Sequence, residues 1–360
     1  MTETPTIHGD GGRDAAGPSA FEQLAAAPAR HQLVMLTMGR VIAPVIWALT
    51  ELRVADHLAA GPLPVGELAR RTGTDEQVLL RMLRCAAAYQ VFAERPGREF
   101  ALTPMSELLR DDVPQSVRDL VLMNGTELFW RPYEAVLHTA RTGRPAFEAV
   151  FGMPLFDYLE TKPDLAGTFH RAMTAVNRGG VDAIAEAIAS RPFTRVADIG
   201  GGQGYLLAAL LERRPDGTGV LFDRPAALEG ARALLDERGM SGRVELAPGD
   251  FFSEVPGGCD VYVLKLVLHD WADADAVRIL KGVRAAMADG AGARLHVVEH
   301  TAGEPNTLDM VRLLDMDMLF CLGGRERSVE EYRALGEQVG LRLAAQRRAG
   351  RFTVMEFAAR

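Results

Sequence analysis

Arg195-Val196-Ala197-Asp198-Ile199-Gly200-Gly201-Gly202-Gln203-Gly204 is the stretch on which the reading of this chain turns. A short apolar run ends in an acid and passes into a glycine-rich turn. The turn opens an apolar segment, Tyr205 to Arg213, that predicts a helix. Glycines let a backbone turn tightly and approach a ligand where a Cβ would collide. Free amides at the helix start favour negative charge. The spacing is Asp-x-Gly-x-Gly-x-Gly. A dinucleotide fingerprint would want a glycine at 205, where Tyr205 stands, and would not need Asp198. Working outward, Thr218 to Phe222 is a second apolar run ending in Asp223. It lies about 20 residues past the glycines, where doubly wound folds set a carboxylate on a ribose. Asp223 also reads as a helix N-cap ahead of Pro225.

An acid beside glycines suits a cationic ligand end better than a pyrophosphate. S-adenosylmethionine, with an ammonium and a sulfonium, meets that demand. Asp198, Gly200, Gly202, Gly204 and Asp223 are therefore candidate cofactor residues. From 195 onward apolar runs at 195–199, 218–222, 243–247, 260–266 and 294–299 alternate with helical segments, which predicts an α/β domain over 191–360 with a parallel sheet. The end differs. Ser328 to Val339 predicts a helix with a Ser328/Glu331 capping box. Leu341–Gln346 and Phe352–Phe357 predict a closing antiparallel hairpin.

Upstream, residues 21–110 read as helical with one hairpin. His31 to Leu58 is apolar, with Pro44 kinking or dividing it. Val65–Arg71 and Thr74–Tyr89 predict two helices, the second with Thr74 as N-cap and Gln77 completing a capping box. Val91–Ala93 and Phe100–Thr103 flank the turn Arg95-Pro96-Gly97-Arg98. Helix, turn, helix and hairpin make a winged helix. Residues 111–190 are helical again and are expected to bridge the halves and contribute to an acceptor pocket. Residues 1–20, rich in Gly, Thr, Pro and Asp, predict a disordered tail.

At 360 residues the chain is long enough for two domains and an ample core. Its 48% hydrophobic and 24% charged residues are those of a soluble globular protein. A net charge of −8 argues against a nucleic-acid partner. No apolar stretch reaches membrane-spanning length, so no membrane partner is expected. Cys85, Cys259 and Cys321 are isolated, without metal spacing, and predict reduced thiols in a cytoplasmic protein. No acidic cluster or His/Cys spacing asks for a metal.

Gly249-Asp250-Phe251-Phe252 follows the third strand, at the sheet edge where open α/β folds bind ligands. Asp250 is positioned to accept from an adenine amino group and Phe251 to stack on the ring; Phe252 reads as core. The fourth strand, Val261 to Leu268, runs into His269-Asp270-Trp271. His269 thus ends a buried strand at the edge that carries the glycine turn. An imidazole of pKa ~6.5 takes a proton near neutral pH. Asp270 reads as the cap of the next helix, and Trp271 as packing or a cofactor contact. Glu299, ending the fifth strand, and Glu326, in Gly323-Gly324-Arg325-Glu326-Arg327-Ser328, are the carboxylates available to fix the imidazole's tautomer. Glu326, between arginines, reads equally as a surface ion pair. His300 is a rival base, expected to face away from Glu299.

These motifs together, with Phe156-Asp157-Tyr158-Leu159 and Phe169–Met173, resemble the plant-type (caffeate/hydroxyneurosporene-like) two-domain small-molecule O-methyltransferases, including bacterial ones that modify polyketides and other natural products. The resemblance runs from about 30 to 357. It implies a Rossmann-like class I methyltransferase sheet, a winged-helix dimerisation domain, and a homodimer whose N-terminal domains interlock. It implies that Asp223 binds the ribose, Asp250 and Phe251 the adenine, and Lys265 the cofactor's polar end. His269 becomes the general base, supported by Glu299 and Glu326. The expected activity is methyl transfer from S-adenosylmethionine to a phenolic hydroxyl of a small aromatic acceptor, releasing S-adenosylhomocysteine. Met173, Met318 and Phe320 are candidate acceptor-pocket residues. Two other readings stand beside it: a relative that binds the cofactor yet decarboxylates or hydroxylates, and a winged-helix DNA-binding regulator. The second suffers from the apolar face Leu79, Leu80, Met82 and Leu83 on its presumed recognition helix.

Overall fold

The computed structural model describes residues 18–228, 230–287 and 292–360. The expected tail lies outside the described residues up to 17, and Ser19 already caps a helix, Ala20–Ala26, through a complete capping box with Glu22. The chain divides into two units, one ending at Val121 and one spanning Leu122–Arg360.

In the first unit the apolar segment 31–58 is divided, though not at Pro44. It forms Ala29–Thr37, Gly39–Glu51 and Val54–His57, with breaks at Met38 and at Arg53, whose φ is 55°. Pro44 sits inside the second helix. The amide bond it cannot make would reach Arg40, an exposed residue, where water serves instead. The next helices are Val65–Thr72 and Glu76–Ala88. The cap of the latter is Asp75, which accepts from Val78 N–H at 2.9 Å; Thr74 instead bonds Thr72 through its hydroxyl. This corrects the expected Thr74/Gln77 box by one residue. The helix buries Leu79, Leu80, Leu83 and Ala86, each large side chain contributing about 2 kcal/mol. Its exposed Arg84 is paired with Glu94. Three antiparallel strands, β1 (Leu63–Pro64), β2 (Phe92–Arg95) and β3 (Glu99–Leu102), pair in the order β1-β3-β2. Two residues ending in proline carry no alternation, so β1 had no sequence signal.

In the second unit, helices from Glu127 to Ala189 precede strands β4 (Arg195–Ile199), β5 (Thr218–Asp223), β6 (Val244–Pro248), β7 (Val261–Lys265), β8 (Arg294–Glu299), β9 (Leu341–Ala349) and β10 (Phe352–Ala359). They form one sheet in the order β6-β5-β4-β7-β8-β10-β9. The first five are parallel; β10 runs antiparallel to β8 and β9 antiparallel to β10. Every residue of β7 and β8 is buried, as expected of strands covered on both faces. The helix Tyr205–Glu212 buries Leu206 to Leu211 without a break, packing with Ile184, Ile188 and Val196. The opposite face packs Tyr262, Leu264, Ile279 and Tyr332. Parallel strands all end on one edge, so the loops after β4, β5, β6, β7 and β8 gather there. No single described helix is long and apolar enough to cross a membrane, and the three cysteines are free thiols.

Candidate active site

The glycine turn leaves β4 and is held by its neighbours. Gly200, Gly202 and Gly204 have φ of 72°, 58° and 83°. At Gly202 this conformation is the reason for glycine, since a Cβ there would meet nothing within 4 Å. The Gly202 amide donates to Asp223 Oδ2 at 2.8 Å and the Arg224 amide to Oδ1 at 2.7 Å. Asp223 therefore caps the turn and its own successor. It is not a helix cap: residues 224–228 form a turn, and the next helix begins at Ala231.

Asp198 is 1% exposed, and its Oδ2 has no hydrogen-bond partner among the described residues. Burial lifts its carboxyl to about 7, against the pull of the Lys265 charge. Burial lowers Lys265 to about 8, Asp198 and Glu299 opposing. An orphaned carboxylate oxygen beside a turn without Cβ atoms fits a cationic ammonium well. The crevice here is lined by Thr174, Asp198, Gly200, Gln203, Tyr205 and Lys265, and its free room is about 30 Å³. A pocket for a nucleoside spans at least about 300 Å³, so lining side chains shift as such a ligand enters. Asp250 is exposed and accepts from Phe252 N–H at 2.9 Å. Phe251 and Phe252 both meet the Trp271 ring edge-on, at 5.9 and 4.6 Å.

The strand expected to run to Leu268 stops at Lys265. Leu266 takes a φ of 53° and a 3-10 turn, Leu268–Asp270, follows. Glu299 causes the change: its Oε1 accepts from the Val267 and Leu268 amides at 3.2 and 2.9 Å, replacing ladder bonds that β8 no longer supplies. His269 is then 8% exposed. Its Nδ1 lies 2.8 Å from Glu326 Oε1 and 4.0 Å from Glu299 Oε2. Its Nε2 lies 3.3 Å from Asp270 Oδ1. Asp270 is thus a partner of the imidazole and not a helix cap; that position is Ala272, which has no side-chain bond to offer.

Glu326 is buried, not a surface ion pair. Its flanking arginines take other carboxylates. Arg325 pairs with Glu331 and Asp273. Arg327, 1% exposed, donates to Asp273 and to the carbonyls of Leu268 and Trp271 at 2.8 and 2.7 Å. Asp315 Oδ1 accepts the Glu326 amide at 2.8 Å. His300 stacks on Phe352 at 4.5 Å, and burial lowers its proton affinity.

Burial alone would push the His269 proton affinity down. Glu299, Asp270 and Glu326 more than reverse this and raise it to about 10. Burial raises Asp270 to about 6 and Glu299 to about 7, with His269 opposing both. The unperturbed imidazole assumed from sequence is therefore replaced by one whose proton affinity three neighbouring carboxylates raise.

The two parts of the site abut, since a Cβ on Gly200 would stand 2.7 Å from Val267 Cγ2, two residues before His269. The expected pocket residues lie on two segments. Met173 is part-buried on the helix Pro163–Arg178 beside Thr174. Met318 opens a π-helical turn, Met318–Leu322, that leads to Gly323 and Gly324. Phe320 meets Tyr133 edge-on at 5.2 Å and packs with Leu128 and Phe147. The π turn and Asp315 had no sequence signal; both depend on what the segment 310–326 packs against. Among the described residues no group of three or more His, Cys, Asp or Glu side chains is arranged to hold a metal ion.

An O-methyltransferase domain matches residues 133–342, and an O-methyltransferase dimerisation domain matches 35–112. The chain belongs to the O-methyltransferase family. It is an S-adenosylmethionine-dependent methyltransferase of the branch that serves bacterial natural products. It is 39% identical to O-demethylpuromycin-O-methyltransferase of Streptomyces alboniger over 94% of this chain and 90% of that one. It is 36% identical to phenazine O-methyltransferase of Lysobacter antibioticus over 88% and 92%. The solved mitomycin 7-O-methyltransferase MmcR superposes with a TM-score of 0.85 at 34% identity, covering 94% of this chain and all of that one. The O-methyltransferase NcsB1, solved with S-adenosylmethionine and 2-hydroxy-5-methyl naphthoic acid, has a TM-score of 0.78 at 32% identity over 90% and 98%. Other relatives are an N,N-dimethyltransferase and aclacinomycin 10-hydroxylase, 37% and 33% identical. Asp198 and Lys265 at the glycine turn fit the family's cofactor, because the buried Asp198 Oδ2 is left without a hydrogen-bond partner among the described residues.

Proposed function

We propose that this methyltransferase methylates a phenolic hydroxyl on a small aromatic or polyketide-type acceptor, with His269 as the proton acceptor. The contact of His269 Nδ1 with the buried Glu326, 2.8 Å, carries the reading. A carboxylate on Nδ1 fixes the tautomer that leaves Nε2 to receive a proton, and then stabilises the imidazolium. Glu299 holds the turn and adds negative charge nearby. Asp198, Gly200, Gly202, Gly204 and Lys265 hold the cofactor's amino-acid end, Asp223 its ribose, and Asp250 and Phe251 its adenine. When bound, the cofactor supplies a methyl group on a sulfonium, already a good leaving group. The residues here contribute alignment, which supplies much of such an acceleration, and removal of the acceptor's proton, worth about 10²–10⁴-fold. Met173, Met318 and Phe320 contribute apolar contact to the acceptor, and the naphthoic acid bound by NcsB1 is of the proposed class.

A homodimer through the N-terminal unit agrees with the matched dimerisation domain and with Leu33 and Leu36, which are 66% and 70% exposed on one helix. The hydroxylase relative keeps a second chemistry in the family, but the Glu326–His269 pair is what proton removal needs. The test is label transfer from methyl-labelled cofactor to a panel of phenols and hydroxynaphthoates. His269→Ala should lose label transfer by about 10²-fold or more; full activity in that variant sinks the assignment.

A further inference from the structure

We propose that Asp270 is the residue that takes the product proton off His269 and passes it to solvent. The inference rests on the reading of His269 as proton acceptor and adds the step that resets it. Three carboxylates surround the ring, and geometry divides them. Glu326 and Glu299 both face Nδ1, and their side chains are 1% and 0% exposed. A proton received on Nε2 reaches neither directly, and neither touches water. Asp270 faces Nε2 itself at 3.3 Å, and its side chain is 18% exposed. Of the three it is the one that joins the reacting nitrogen to solvent.

The contact also explains the state of the ring. Both imidazole nitrogens face carboxylate oxygens, and a neutral imidazole has one donor only. Either the ring is an imidazolium or Asp270 carries the second proton; the Nε2–Asp270 approach, 3.3 Å, is an ion-pair contact that occupies the reacting side of the ring. An arriving hydroxyl must therefore displace Asp270 from Nε2, and the proton must leave first. The sequence of transfers balances without a further reactant. The acceptor O–H bond breaks as its proton forms a bond to Nε2. The N–H bond then breaks as the proton passes to Asp270 Oδ1. The carboxylic acid finally releases it to water and returns as carboxylate.

The charged and titratable groups around the pair agree with this division of labour. Glu299 comes from the end of β8 and Glu326 from the loop 323–328. The Arg327 guanidinium is turned to Asp273 and to carbonyls of the 3-10 turn. Tyr332 lies behind the two glutamates and His300 behind Glu326. Burial raises Asp270 to about 6, below the value of about 10 for His269, so it takes the proton uphill and sheds it to water at neutral pH.

The experiment needs no acceptor. The full chain, loaded with S-adenosylhomocysteine and labelled with ¹⁵N-histidine, is compared with Asp270→Asn and Asp270→Glu by the exchange rate of the His269 ring N–H with water. In Asp270→Asn exchange should slow by about 100-fold, the lower end of what a positioned proton-transfer group contributes. Asp270→Glu, and acetate added to Asp270→Asn, should restore it. Exchange at the wild-type rate in Asp270→Asn overturns the inference, as does slowing that acetate and Asp270→Glu both leave in place. Unchanged melting temperature and S-adenosylhomocysteine affinity identify a folded variant. Full label transfer by His269→Ala would instead remove the parent reading, which keeps the two failures distinguishable.

Discussion

Gly324→Ala tests how Glu326 is delivered to His269. Gly324 lies directly against the backbone of the His269 turn. A Cβ there would overlap His269 O and Asp270 C, and would stand 2.7 Å from Asp270 O. These are backbone atoms, which cannot swing aside. Ordinary contact begins at about 3.4 Å, and the overlap with His269 O is the most severe of the three, so the loop must retreat by roughly 1 Å or more. That retreat strains the Arg325 N–H bond to His269 O, now 2.9 Å, and draws Glu326 away from Nδ1. Overpacking costs about 1–3 kcal/mol and the weakened hydrogen bond about 1 kcal/mol more. The expected destabilisation is therefore about 2–4 kcal/mol. A misplacement approaching 1 Å costs roughly 10²-fold in rate. Thermal unfolding, label transfer to an acceptor from the phenol panel, and calorimetric titration with S-adenosylmethionine measure the three parts. Melting temperature and kcat should fall while cofactor Kd stays put, because the glycine turn is untouched. A variant with wild-type melting and turnover would refute the claim that this close approach aligns Glu326.

Arg327→Met should destabilise by about 2–4 kcal/mol, since it strips donors from the Leu268 and Trp271 carbonyls and removes one of the two arginines that pair with the half-exposed Asp273; denaturant unfolding reads this, and a change below about 1 kcal/mol would count against it. Asp198→Asn should weaken S-adenosylmethionine binding by about 10- to 100-fold, the worth of a charge-assisted hydrogen bond, with melting of the cofactor-free protein little changed; unaltered affinity would move the ammonium site elsewhere. The pH dependence follows from the raised proton affinity of His269. The proton acceptor works unprotonated, so kcat should be low near pH 6.5 and climb on the alkaline side toward pH 10. The sign for stability is opposite: the His269⁺ contribution is complete below about 6.5, the unfolded value, and is lost as pH rises through about 10. A rate profile that levels off by pH 7 would contradict the three-carboxylate environment.

The O-methyltransferase family was legible in motifs spread from about 30 to 357 taken together, and the kind of cofactor in residues 195–204, because a glycine turn is a local device. Its φ values, its missing Cβ atoms and its acid all sit within ten positions. The parallel strands were legible in part, since burial on both faces leaves a nearly continuous apolar run at 261–264, while 294–299 carries Arg294, His296 and Glu299 among its apolar residues. The closing hairpin was legible because only Gly350 and Arg351 separate β9 from β10, whereas the order of the strands came from the structure.

The family resemblance named Glu299 and Glu326 as partners of His269; what only the tertiary structure decided is how each reaches the ring, and that Asp270 joins them. The β7–β8 register pairs Lys265 with Val298, and this sets Glu299 where its carboxylate ends one strand and opens a turn. The capped turn aims Nδ1 at Glu326, 57 residues away, and leaves Nε2 to its neighbour Asp270. Sequence spacing carries no information about such contacts. They depend on register, on a left-handed Leu266 and on a glycine at 324 small enough to let two backbones touch. The proton affinity of the ring follows from the same placement, because Coulomb interactions at 3–4 Å outweigh burial only when the charges are brought that close.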